Sequence, residues 1–517
     1  MALKYLYAPS GYKGGKAYGV LPNVANADLG FIRALSATRI NSSKLIDKGE
    51  SIGSNDLAPS NFSSDWTGVG SGMTLSTGAA VFNKPSQGNT AYIRTDNSIL
   101  ISGVSYRVII VVTSFTSAPE GSGLNYYNAS GSTLFPITGV GTYEYIFTAK
   151  NSGLFFLDSN IGTSLTVGSV SVREITTTNL NNPRLDYKEN TYPTLLTEPA
   201  STNLVGYSAR GAYGNYPASI TQTLAPDGTN MATIPTPDSN FDRYQKVVSA
   251  GTYATNTKLT YSWYRKRLST PVISTHIGDL RIHSLVNSTQ VGNTTQIESN
   301  IGGYDRFSAI FNITDGSVES IIRLYFGELI GVGNSSVAYF GHQLELGEYA
   351  TSYIPTSGGA ITRAPDTGVI SGDLSSYINS SEGVLEIKAK ALFNGGDNVR
   401  IALSDGSTSN RINLIWTSSS NTMQLGIVAN GNFVFDGGST FYKSFTHDQT
   451  QMATFKIKWK SGDIQVKLND TIVVTETDSF TISGLDQIRL DAGYGTATAL
   501  FEGNVQYIKV YDSITDF

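Results

Sequence analysis

The chain has no cysteine, and only 15% of its residues are charged. The first absence removes thiol nucleophiles, disulfide frameworks and cysteine zinc sites. The second leaves too little charge for a surface of exposed helices. Ser, Thr, Asn and Gly take its place, and they favour turns and strand surfaces. Lysine and arginine number 36 against 41 acidic residues, a net charge of −5. That argues against a nucleic-acid partner, because counterion release needs clustered basic residues. No apolar run approaches the roughly 18 residues of a membrane-spanning helix, so no membrane insertion is expected. The longest run, Val108–Val112, is of strand length. The opening Met-Ala-Leu-Lys-Tyr-Leu-Tyr-Ala-Pro lacks the apolar core of a secretory leader, so the chain reads as made in the cytoplasm without export.

What is present is glycine, 53 copies, and tyrosine, 29 copies, spread over 517 residues. Short apolar runs separated by turn residues every 8–14 positions or so predict an all-β chain of tandem antiparallel β-sandwich or jelly-roll modules. Residues 1–50 carry Lys4, Lys13, Lys16, Arg33, Arg39, Lys44 and Lys48 against Asp28, Asp47 and Glu50. This basic, Gly-rich segment reads as an extended attachment arm, either solvated or docked on an acidic partner surface. Residues 51–175 read as one sandwich, 176–198 as a linker and 199–356 as a second sandwich repeating the same order. In Leu259-Thr-Tyr-Ser-Trp-Tyr264, Leu259, Tyr261 and Trp263 share one face of a strand. Residues 366–517 have the clearest alternation: Phe455-Lys-Ile-Lys-Trp-Lys460 sets three apolar residues against three lysines, and Gly462–Asp463 turns the chain into Ile464, Val466 and Leu468.

Several strings carry a resemblance. His342-Gln-Leu-Glu-Leu-Gly-Glu-Tyr-Ala-Thr-Ser-Tyr-Ile-Pro-Thr356 resembles the closing segment of a carbohydrate-binding-module-like jelly roll common in bacteriophage structural proteins. The strings at 37–46 (ATRINSSKLI), 183–187 (PRLDY) and 195–204 (LLTEPASTNL) look like the linker that precedes such a module, with 51–175 inserted as a further module. The stretch 455–470 resembles a concanavalin/laminin-G-like sandwich. The resemblance implies a virion structural protein, such as a tail fibre, tail spike or head fibre. Its partners would be itself, as a homo-oligomer with a trimer favoured, and other virion proteins through residues 1–50. A virion location also reconciles synthesis without export with a surface like that of extracellular β-modules.

Catalytic chemistry finds little support. His276, His283, His342 and His447 are scattered, and no nucleophile elbow, metalloprotease or phosphate-binding motif occurs. Paired carboxylates would serve a glycan-cleaving spike. Asp405, Asp436, Asp448 and Asp491, however, sit in turn contexts where aspartate is expected anyway. No cofactor is expected. A structural calcium ion suits such modules, but no ligand loop assigns one. Glycan binding needs an aromatic face flanked by hydrogen-bonding groups. The candidates are Trp66, Tyr126, Tyr127, Tyr213, Tyr216, Phe433 and Tyr442, in stretches rich in Gly, Asn and Ser. For each, burial under a neighbouring loop competes with ligand contact. Three readings follow: a non-enzymatic tail fibre or appendage attaching to a host-surface glycan, a head fibre or capsid decoration protein, and a glycan-cleaving spike. The 366–517 sandwich is expected to lie farthest from the particle, opposite the arm.

Overall fold

The computed structural model describes residues 2–13, 16–22, 24–32, 37–47, 56–84, 91–102, 104–116, 123–128, 131–137, 140–149, 152–159, 163–174, 183–188, 192–206, 208, 219–228, 230–236, 244–248, 253–268, 281–284, 295–313, 322–326, 337–356, 359–435, 441–495, 499–515 and 517. The chain is all-β. Among these residues the one helical element is a 3-10 turn at Ala25–Ala27, and no helix is long and apolar enough to cross a membrane.

Residues 56–174 form two five-stranded sheets. One runs in the order 141–148, 105–116, 163–174, 79–84, 73–76, and the other in the order 131–136, 123–128, 156–159, 92–95, 66–69. In Ser105–Thr116, Tyr106, Val108, Ile110 and Val112 are buried in the core between the sheets, while Arg107, Ile109 and Val111 between them are half-exposed. That alternation is the signature of a strand with one wet face.

The second module holds a six-stranded sheet, 219–224, 231–236, 337–346, 258–267, 304–312 and 295–301, and a three-stranded one, 244–248, 322–326 and 281–284. Leu259, Tyr261 and Trp263 lie in one core as the pattern predicts. The opposite face of the same strand is buried as well, with Tyr264 packed beside Phe340 and Tyr353 in a second cluster. Its central strands are covered on both sides, so their polar residues must find partners inside the protein.

The third module corrects the expected arm. Residues 1–50 read as an extended arm, solvated or docked on an acidic partner surface, but the strand Leu3–Lys13 pairs along the last strand, Gly503–Tyr511, with Leu3 opposite Tyr511 and Tyr7 opposite Ile508. Lys16–Leu21 and Leu29–Ile32 continue the ladder, and Leu29–Ile32 hands it on to Thr367–Ile370. From Thr367–Ile370 it passes to Gln487–Arg489, Val399–Ser404, Arg411–Trp416 and Thr422–Ala429. On the other side the last strand pairs with Glu382–Ala391, which pairs with Ala453–Lys460. The N-terminal strands therefore join the two sheets of the C-terminal sandwich into one ladder. The physical reason is burial: Tyr5 and Tyr7 are fully inside that core, beside Leu385, Ile387 and Trp459. One of its basic residues, Lys4, pairs with Asp512 beside the last strand at 3.1 Å.

The expected linker, 176–198, is likewise drawn in. Within it, Arg184–Asp186 pairs with Thr194–Thr197, whose far side pairs with the last strand at Leu195–Val505. The strings at 37–46 and 183–187 lie against each other, with the Tyr187 amide donating to the Ile40 carbonyl at 2.9 Å. The third module is thus assembled from 3–32, 184–197 and 366–517, with the two other sandwiches inserted between these stretches.

Candidate functional site

The candidate residues land in different surroundings. Trp66 is buried, its ring packed edge-on between Phe62 and Phe155, and its indole N–H donates to the Pro59 carbonyl at 2.9 Å. It is core, because a sugar cannot stack on a ring already covered on both sides. Tyr126 and Tyr127 lie on the strand Gly123–Asn128, opposite Thr133 and Ser132. Tyr213 and Tyr216 lie outside the described residues.

Phe433 and Tyr442 do come together. Their ring centroids are 5.6 Å apart and nearly perpendicular, and Phe441, which sequence reasoning did not single out, stands 4.7 Å from Phe433. Phe441 is 49% exposed, while Phe433 and Tyr442 are partly covered. The group sits beside the strand Lys443–Thr446 at the rim of the third module. Gly426 explains the position of Tyr442: any Cβ there would meet the tyrosine ring at 2.8 Å, so the missing side chain makes its seat. Arg400 reaches over the same ring, 6.0 Å from its centroid, and Arg411 stands over Tyr494 at 4.8 Å. An aromatic rim next to guanidinium groups can stack on a sugar and bond its hydroxyls.

The aspartates raised as catalytic candidates are occupied by their own turns or partners. Asp405 accepts from Ser407 and Asn410, which hold its carboxyl below the ordinary range although burial pulls the other way. Asp448 accepts from the Thr450 amide and hydroxyl, at 3.0 and 2.7 Å. Asp491 is paired to Arg489 through two bonds of 2.9 and 2.8 Å. Asp436 lies outside the described residues. His342 is buried against the Tyr261 hydroxyl at 2.5 Å, and the His447 ring lies edge-on to Phe455. His283 is on the strand Arg281–Ser284, and His276 is outside the described residues. Among the described residues, no group of three His, Asp or Glu side chains converges to hold a metal.

The recognised strings have a different destination. Glu198, from the 195–204 string, accepts from both Arg184 and Arg363 and from the Ser352 amide and hydroxyl, at 2.7 and 2.6 Å. Asp366 takes the other end of Arg184 and the Glu198 amide at 3.0 Å. Glu345 accepts from the Thr351 amide and hydroxyl and from Gln343, while Asn203 donates to the His342 and Ile354 carbonyls. Burial alone would raise the Glu198 carboxyl, but the Arg363 and Arg184 charges overcome it and hold the group well below the carboxylate range. The strings that carry the resemblance are therefore a lock between modules, not a ligand site. A cavity of about 40 Å³ opens beside it, bordered by Thr38, Asp186, Glu298, Arg306 and Ser352. That is room for a few waters, against the roughly 300 Å³ or more of a small-molecule site.

Asp186 lines that cavity and is pushed up to about 6, by burial first and by Glu298, against the pull of Lys188. A raised folded value means that its contribution to stability is full below the unfolded value near 3.8 and is lost as pH rises through about 6. Asp186→Asn keeps an acceptor for the Ile40 and Lys188 amides and removes the buried charge. The variant should gain about 3 kcal/mol over the parent at pH 8 and only about 0.5 kcal/mol at pH 4. Chemical denaturation at both values checks this, and equal differences at the two would refute it.

No family model matches the chain, and no curated protein matches it.

Proposed function

We propose that the chain is a phage virion structural protein, an appendage whose sandwich modules attach to a host-surface glycan without cleaving it. The observation that carries this reading is the half-exposed trio Phe433, Phe441 and Tyr442 beside Arg400 on the third module. Large apolar rings left partly in water at one rim, next to hydrogen-bonding groups, are what a shallow sugar site requires. The strings at 342–356 and 195–204 add the resemblance to phage jelly-roll proteins. The copies assemble as a homo-oligomer, three being what that resemblance implies, and avidity then compensates for weak single sites. Contact with other virion proteins through residues 1–50 would be made by the exposed side chains of a folded strand, such as Tyr18 and Val20.

The test is binding of the full chain to a panel of bacterial surface polysaccharides. Affinity per site should lie between millimolar and micromolar and rise steeply with copy number. Phe441→Ala and Tyr442→Ala should each weaken binding about tenfold, the worth of one stacked ring. Phe441 is exposed enough that its replacement should leave the melting temperature unchanged. Binding unaltered by both substitutions would overturn the assignment of this rim.

A further inference from the structure

The sheet that carries the lysine alternation has an outward face built unlike the others. In Ala453–Lys460 the residues Phe455, Ile457 and Trp459 enter the core, which turns Thr454, Lys456, Lys458 and Lys460 outward. In Glu382–Ala391, Leu385, Ile387 and Ala389 enter it, which turns Glu386 and Lys388 outward. The register carries one row straight across the face: Lys509 lies against Glu386, Glu386 against Lys456, and Lys456 against Lys467. In the next row Lys388 lies between Tyr507 and Thr454. A wet face elsewhere in the chain uses neutral groups. In Thr163–Glu174, Val167, Val170 and Val172 enter the core and the residues turned away include Thr166, Ser169 and Ser171. Solvation alone therefore does not call for lysine here.

On these two rows Lys388, Lys456, Lys467 and Lys509 stand around a single carboxylate, Glu386, which accepts from Lys509 at 3.1 Å and from the Tyr511 hydroxyl at 3.2 Å. Lys456 reaches Asp470 at 2.6 Å, in a turn where the aspartate side chain is 77% exposed, and such a pair contributes little. Lys467 bears on the same aspartate and lies against the Phe517 ring, 4.5 Å from its centroid. Lys388 makes no ion pair among the described residues. Like charges set directly opposite on neighbouring strands destabilise a sheet, and Lys456 opposite Lys467 is such a pair. An anion over the row would remove that cost. The face is also open: the Lys456 and Lys509 side chains are 27% and 26% exposed, and Lys388, Lys467, Thr454 and Tyr507 are partly exposed as well. Its charge lies at the centre, with Leu6 and Ile472 only at the margins. A protein interface has the reverse layout, with lysine depleted from its core. Lysines act as point charges rather than planar forks, which suits a polymer of repeated anions better than one fixed oxyanion. The Thr454 and Tyr507 hydroxyls, 3.5 Å apart beside Lys388, add the hydrogen bonding that a sugar needs.

We propose that this face binds an acidic polysaccharide laid across the strands, its carboxylates meeting Lys388, Lys456 and Lys467 and its hydroxyls meeting Thr454 and Tyr507. The inference rests on the glycan-attachment reading for the class of polymer, but the site is a separate one. The rim of Phe433, Phe441 and Tyr442 belongs to the other sheet of the sandwich, through Lys443–Thr446 and Thr422–Ala429. Each lysine contact is weak at the surface, and a chain of regularly spaced anions sums them.

The experiment titrates the full chain by calorimetry with oligogalacturonate, its carboxyl-reduced neutral counterpart and polyglutamate of equal charge, at low and high salt. The acidic oligomer should bind about tenfold more tightly than the neutral one at low salt, and added salt should erase the difference. Lys388→Gln combined with Lys467→Gln should cut the acidic affinity about tenfold and make its salt dependence shallower, because fewer ions are exchanged. Neither lysine makes an ion pair among the described residues, so the double variant should melt with the parent, and a scan shows that it is folded. Phe441→Ala should leave the preference for the acid in place; loss of that preference would move the site to the rim and overturn this one. Equal affinity for acidic and neutral oligomers, or a double variant that binds the acid as the parent does, also overturns it. Polyglutamate bound as tightly as the uronate overturns the saccharide and assigns an acidic protein surface instead. If the inference fails while Phe441→Ala still weakens binding of the neutral oligomer, the glycan reading stands without it, and if neither sugar binds, both fall.

Discussion

Removal of residues 2–32 should cost the protein its third module. Tyr5 and Tyr7 are fully buried in the core that Leu385, Ile387 and Trp459 share, and the first strand covers much of one side of Gly503–Tyr511. The loss is not confined to two rings. Without Lys16–Leu21 and Leu29–Ile32, the ladder no longer passes from the first strand to Thr367–Ile370, and the two sheets of the sandwich lose their join. An unpaired central strand would face water along that side, and such edges recruit other chains. Residues 366–517 expressed alone should therefore be insoluble or molten, and adding back 2–32 by itself would restore only part of the missing edge, because Thr194–Thr197 also pairs there. A single substitution measures the same dependence. Tyr7→Ala should destabilise the module by about 3–5 kcal/mol, as for other large buried aromatic residues. Guanidinium unfolding followed by Trp416 and Trp459 fluorescence checks it. A truncated chain that melts like the parent would show that the arm is dispensable after all.

The parts of this fold legible in the sequence are those whose signal is local. The strands Glu382–Ala391 and Ala453–Lys460 each have one wet face, so lysines alternate with core residues and a period of two is plain. The same alternation is present in Lys4-Tyr-Leu-Tyr-Ala8, where Tyr5 and Tyr7 point inward. It is masked by the Gly-rich, basic residues that follow, which read as solvated chain. Nothing local in that stretch could reveal that its pairing partner lies some five hundred residues away at Tyr511. The stretch 51–175 reads as an insertion for a different reason: the strings on either side of it resemble pieces that otherwise run together, whereas 199–356 reads only as a second tandem module.

The site was legible in part. Phe433 and Tyr442 stand out because an aromatic in a Gly/Asn/Ser stretch has no strand to bury it, and the structure brings those two together. Trp66 has the same sequence context but is covered by Phe62 and Phe155, one close in the chain and one distant. Local composition cannot separate the two outcomes.

Glu198→Ala should be among the most damaging point substitutions in the protein. The side chain accepts from Arg184 and Arg363, both about 1% exposed, and from the Ser352 amide and hydroxyl. These partners come from the Arg184–Asp186 strand, the end of the second module and the Ile361–Arg363 strand that pairs with Ser201–Asn203, so one carboxylate ties three stretches. Its removal leaves Arg363 buried with a single carbonyl, that of Pro199, and Ser352 as partners, and leaves Arg184 with Asp366. Breaking a buried pair from one side costs about 3–5 kcal/mol, because the stranded charge keeps its desolvation penalty and loses its compensation. The intact lock need not stabilise by that amount, since forming it also required burying four charges. The distinction is testable. Glu198→Leu combined with Arg363→Met removes both members and fills the space with apolar atoms, and it should recover most of the stability lost in Glu198→Ala. What the double variant should not recover is geometry: Arg184 keeps Asp366, but Ser352 loses its acceptor, and the second module loses this tie to the third. Limited proteolysis near 356–363 should therefore accelerate in both variants while only the single one melts early. Equal melting of the two would mean that the network acts through simple packing and that its charges carry no special weight.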